Sequence, residues 1–147
     1  MSDNSASTPP PPLWFTIVAG VAILWSLAGI LACYSQLSMT AAQMADLPAA
    51  QRDAFTAMPA WVRSDYMMAV VAGLVGAVML LLRRRLARAA FIVSLIGVFL
   101  QFGWVFGPYH GLDKLGPSAA AFPAFVALMC LAEIGVATVA LRRGWLK

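Results

Sequence analysis

The stretch Leu82-Arg83-Arg84-Arg85-Leu86-Ala87-Arg88-Ala89 interrupts a chain that is apolar for long distances on both sides. Arginines clustered at this density do not follow a hydrophobic segment across a bilayer. They mark a loop retained in the cytoplasm and so orient the segments that flank it. Residues 66–82 before the cluster form an uncharged run of 17, and residues 89–107 after it form one of 19. Further out, residues 13–34 give 22 uncharged positions, and residues 120–141 give 22 with one acidic interruption. A hydrocarbon core of about 30 Å takes roughly 20 helical residues, with about 17 as the lower limit. Each run therefore predicts a transmembrane helix, since unbroken apolar runs of this length do not read as barrel strands.

Composition agrees: 62% of the 147 residues are apolar and only 11% are charged. A soluble domain carries about a quarter charged residues, with its apolar residues arranged in stripes rather than blocks. The net charge of +4 does not imply nucleic acid, because the basic residues sit at the ends of apolar runs, where they meet lipid headgroups. The 83–88 loop and the tail hold seven of the ten basic residues: Arg83, Arg84, Arg85, Arg88, Arg142, Arg143 and Lys147. The opposite loops balance Arg52, Arg63 and Lys114 against Asp46, Asp53, Asp65 and Asp113. Both termini are thus expected on the cytoplasmic side. Trp14 and Trp145 should lie at the inner interface, and Tyr34, Trp61, Tyr66, Trp104 and Tyr109 at or near the outer one.

The expected fold is an all-α, integral-membrane four-helix bundle forming a single domain over 13–147. Residues 1–12, ending in Pro9-Pro10-Pro11-Pro12, read as a disordered cytoplasmic tail with a stiff extended end. No Lys or Arg precedes the first span, so it is expected to stay rather than to be cleaved as a signal peptide. In the outer, periplasmic loop 35–65, Thr40 and Gln43 have capping-box spacing and Pro48 suits the start of a second short helix. Two short interfacial helices are expected there, either as a surface connector or as a binding lid.

Glu133 is the residue that asks for chemistry. It lies near the middle of the fourth span, with no charge within eight residues on either side. An ionised side chain there costs on the order of 3 kcal/mol or more. No Lys, Arg or His matches its depth in any span, which leaves Gln101 and Ser26 as polar neighbours. Trp25 is the one mid-span tryptophan, placed either to fill the interior or to line a pocket beside Glu133. Small and polar residues recur at helical spacing on three spans: Ala22, Ser26, Gly29 and Cys33; Ala69, Gly73 and Ala77; Ser94, Gly97, Gln101 and Trp104. Such faces let membrane helices approach closely and bond across the contact. Glu133 is then either a protonated structural group in a tight bundle or a proton- or solute-binding carboxyl in a hydrated cavity. The candidate binding set is Glu133, Gln101, Ser26 and Trp25.

Other chemistry has little support. The single histidine, His110, lies in a short outer loop and cannot supply a bis-histidine haem. Cys33 and Cys130 differ in depth by roughly 12 Å at ~1.5 Å rise per residue, beyond the reach of a disulfide, so both should be free thiols. There is no phosphate loop, HExxH helix, dinucleotide fingerprint or serine triad, so neither an enzyme nor a cofactor is expected.

Three stretches carry a resemblance: Leu47-Pro48 through Met58-Pro59-Ala60-Trp61-Val62; Ser94-Leu95-Ile96-Gly97-Val98 with Gln101-Phe102-Gly103; and Arg143-Gly144-Trp145-Leu146. Together they resemble a group of small four-span bacterial inner-membrane proteins that often carry the label hypothetical or "sugar transporter". The resemblance implies the four-span fold and a bacterial inner-membrane location, and brings no functional residues with it. Two functions remain open. In one, the protein binds or transports a small solute as a homo-oligomer, because four spans offer little wall for an aqueous path. In the other, it is a non-catalytic accessory subunit packed against a larger membrane complex. A lipid- or quinone-interacting protein is a third reading.

Overall fold

The computed structural model describes residues 10–147. The tail expected over 1–12 therefore lies outside the described residues except for Pro10, Pro11 and Pro12. The described residues are all helical, with four helices long and apolar enough to cross a membrane. These are α1 (Leu13–Leu37), α4 (Ala60–Leu81), α5 (Leu86–Phe106) and α7 (Ala121–Arg142). Between α1 and α4 lie α2 (Ala41–Ala45) and α3 (Ala49–Ala57); α6 (Gly111–Leu115) and a single 3₁₀ turn precede α7. The second span is longer than the uncharged run 66–82. It starts six residues earlier, just after Pro59, and so takes Arg63 and Asp65 into the helix.

The long helices turn most of their large apolar side chains outward and mainly small ones inward, with Phe15, Leu80 and Phe91 as the large buried exceptions. Leu24, Leu31, Leu86, Phe99, Phe122 and Leu128 are all more than half exposed. The buried set is dominated by Ala, with Gly and Ser at the contacts. A soluble bundle does the reverse, and lipid is the solvent that suits this surface. The small-residue stripes meet as their spacing predicts. A Cβ on Gly97 would stand 2.7 Å from the Cβ of Ala69, so α4 and α5 touch backbone to backbone and only glycine fits. Gly73 faces the Ser94 and Ser26 hydroxyls in the same way, at 3.3 and 3.8 Å from where a Cβ would lie.

Packing runs in the order α1, α4, α5, α7 around the bundle. The last side, between α1 and α7, is not closed by close backbone approach. It is bridged by side chains: Trp25 meets Phe125 edge to face at 5.5 Å, and Phe15 meets Trp145 at 5.6 Å.

The Arg-rich end is solid. Phe15, Ala19, Ala22, Leu80, Phe91 and Ala137 belong to one buried cluster, which Trp145 and Leu146 complete from below. The chain folds back to put them there. After α7, Gly144 takes φ 71°, and Trp145 N–H donates to Ala140 O at 2.9 Å, a glycine helix stop that turns the tail under the bundle. α4 ends the same way without a glycine: Arg83 holds φ 58° and Arg84 N–H donates to Met79 O at 2.8 Å. The two turns then pair, with Lys147 N–H donating to Arg83 O at 2.7 Å and Arg85 N–H to Lys147 O at 3.1 Å. Trp14 packs on Trp145 at 5.7 Å. The start of α1, the Arg loop and the C-terminus thus share one end of the bundle.

At the other end the short helices are held by arginine and tyrosine. Thr40 and Gln43 form the capping box of α2. Arg52 reaches back from α3 to the carbonyls of Met44, Ala45 and Leu47 at 3.2, 2.6 and 3.0 Å, satisfying groups that end a helix. Tyr109 stacks on Trp104, donates to Ala50 O at 3.4 Å and carries the Lys114 ammonium 4.1 Å above its ring. Burial, with Asp53 nearby, pushes the Tyr109 phenol above its usual range.

Candidate functional site

Above the solid end the bundle is hollow. Between the four helices lies a cavity of about 430 Å³, although α4 and α5 stay in contact along it at Ala69 and Gly97. Its floor is polar: Ser26 from α1, Ser94 from α5, and Cys130 and Glu133 from α7, around Gly73 of α4. One to two turns higher the walls are mainly apolar, formed by Gly29, Ala69, Val70, Val98 and Val126, with Gln101 as the polar group among them. Gln36, Tyr66 and Phe122 line the part nearest the loop end. Ser26 to Gln36 spans ten residues of α1, so the cavity is roughly 15 Å deep at ~1.5 Å per helical residue. Below the floor the alanine cluster continues without a gap to Trp145, making the cavity blind at the Arg-rich end.

Glu133 is placed there by helix periodicity. Cys130, Glu133, Ala137 and Ala140 are the inward positions of α7, and Glu133 is the only ionisable group among them besides the thiol. It is 8% exposed, and its Oε1 is fully buried without a hydrogen-bond partner among the described residues. A carboxyl oxygen in that state is costly, so the site is either strained or built to receive something that donates to it.

All four residues singled out from the sequence, Glu133, Gln101, Ser26 and Trp25, line this one cavity. Trp25 both fills and lines: its ring meets Phe125 across the α1–α7 side without closing it. The cysteines are free and buried; Cys130 faces the cavity and Cys33 does not line it. Tyr66, expected at or near the outer interface, is half-buried and lines the part of the cavity nearest the loop end. One expectation needs correction. Asp65 is not a loop charge: it is 7% exposed between α4 and α5, with Oδ2 lacking a partner among the described residues. It lies one turn before Ala69 on the stripe Ala69, Gly73, Ala77, and extending that stripe would have found it. The loop helices contribute no lining residue, so the lid reading has no contact to rest on.

The chain resembles nothing in the comparisons with known proteins. No protein family, no curated protein and no solved structure matches it.

Proposed function

We propose that this is an inner-membrane protein with both termini in the cytoplasm, which binds a small solute in the blind cavity and passes it across or into the bilayer. The single observation that carries the reading is the Glu133 carboxyl at the cavity floor, buried with an unpartnered oxygen. Arg83, Arg84, Arg85 and Arg88, with Arg142 and Arg143, supply the cytoplasmic charge and the headgroup contacts, and the cavity then faces the periplasmic half. The loop helices α2 and α3 lie on the outer surface in this arrangement, consistent with their lack of buried residues. The residues of one chain line the cavity on α1, α4, α5 and α7, and a second copy of the chain set against the open α1–α7 side would complete the wall in a homo-oligomer. The location agrees with the resemblance to small four-span inner-membrane proteins.

Reconstituted in proteoliposomes, the wild type should bind or take up a solute from a screened panel. Glu133→Gln should abolish this while the protein still folds and inserts. Uptake that is unchanged in the variant removes Glu133 from the reading.

A second reading has one observation in its favour, the open side between α1 and α7. There the protein is an accessory subunit, and a helix of a larger complex lies across the seam. Native mass spectrometry on protein extracted from its own membranes separates the two. A fixed ratio to another membrane protein supports the accessory reading, and the chain alone or with copies of itself supports solute binding.

A further inference from the structure

The solute-binding reading leaves the solute's chemistry open, and the cavity narrows it. Most of its polar groups gather at the floor, a carboxyl, two hydroxyls and a thiol, and the walls above them are apolar except for the Gln101 amide, with Gln36 and Tyr66 near the loop end. A sugar carries hydroxyls around its whole ring, and the single Gln101 amide among Gly29, Val70, Val98 and Val126 would leave several of them without a partner. An anion would meet Glu133 with no Lys, Arg or His lining the cavity to offset it. The walls suit an occupant with an apolar body and a positively charged head. Trp25 also lines the cavity, and an indole at a cavity wall attracts a cation that comes over its face. The volume of about 430 Å³ lies within the range of small-ligand pockets.

We infer that the cavity is a site for a lipophilic organic cation, a protonated or quaternary amine whose charged head sits at the Glu133 carboxylate and whose apolar body fills the walls between α1, α4, α5 and α7. The inference rests on the solute-binding reading and adds the ligand class to it. The open side between α1 and α7, spanned by Trp25 and Phe125, gives such a molecule a route in from the lipid, where its apolar body partitions.

The test is calorimetric titration of the full chain in nanodiscs with benzyltrimethylammonium, whose charge does not titrate, and with its uncharged carbon isostere neopentylbenzene. The wild type should bind the cation, Glu133→Gln should weaken it at least tenfold, and Glu133→Asp should recover part of the loss. Neopentylbenzene should bind wild type and Glu133→Gln alike, which also shows that the variant is folded. Val126→Trp, which fills the cavity from α7 away from Glu133, should remove both ligands. Equal cation affinity in wild type and Glu133→Gln overturns the inference. Binding of neopentylbenzene or a hexose but not the cation, lost in Val126→Trp, also overturns it while leaving the solute-binding cavity standing. No binding of any probe overturns both.

Discussion

Glu133 occupies a position where a leucine would cost nothing to insert, and its buried oxygen returns no hydrogen bond for the expense. A structural role and a binding role therefore differ in sign when the side chain is made apolar. Glu133→Leu keeps the volume and removes the unpartnered oxygen, so the cavity reading expects the protein to gain about 1–3 kcal/mol of stability. Unfolding by SDS titration in mixed micelles measures this. A loss of similar size would show that the carboxyl bonds to the bundle and exists to hold it together. Asp65 presents the same question at the α4–α5 contact, where its Oδ1 stands 3.3 Å from where a Cβ on Gly97 would be.

Gly97 and Gly20 are both mid-helix glycines, and they predict opposite outcomes. An added methyl at Gly97 would collide with Ala69, and Gly97→Ala should cost about 1–3 kcal/mol as α4 and α5 are forced apart. At Gly20 nothing lies within 4 Å, so Gly20→Ala should stabilise by about 0.5–1 kcal/mol through its gain in helix propensity. The helix stop at Gly144 gives a third case: Gly144→Ala should cost about 1 kcal/mol or more, because its φ of 71° penalises any Cβ. The same SDS titration reads all three. Such contacts were largely legible beforehand, since runs of apolar residues set the spans and small residues at steps of three and four set the buried faces. The start of α4 was not. Asp65 and Arg63 ended the uncharged run at 66, whereas the helix begins at a proline that free N–H groups tolerate and carries its charges on its first turns. Which helices neighbour each other was equally hidden. Periodicity says which face is small, and only the assembled bundle shows that α1 and α7 leave a side open below which four polar residues converge.

At the scale of the whole molecule the decisive property is asymmetry. One end is sealed by alanines, three aromatic rings and a backbone pairing between the Arg loop and the C-terminus, and the other holds an empty space reaching to mid-bundle. Two elements of the proposal combine in this: the arginines are placed on the cytoplasmic side, and the packed cluster at that end leaves entry to the other end or to the α1–α7 side. The chain provides its own reporter, because it has two cysteines and only Cys130 lines the cavity. In a Cys33→Ala background, Cys130 is the sole thiol. A small, charged methanethiosulfonate cannot cross lipid and must come from whichever side the cavity opens. Cys130 is buried and should react slowly in either orientation, but right-side-out vesicles should label at least tenfold faster than inverted ones. Labelling at equal rates from both sides would mean that the alanine floor is not closed, and faster labelling of inverted vesicles would mean that the bundle is inserted the other way. Prior filling of the cavity by Val126→Trp should suppress labelling from the open side, which ties the reactivity to the cavity rather than to exposure of Cys130 through the α1–α7 seam.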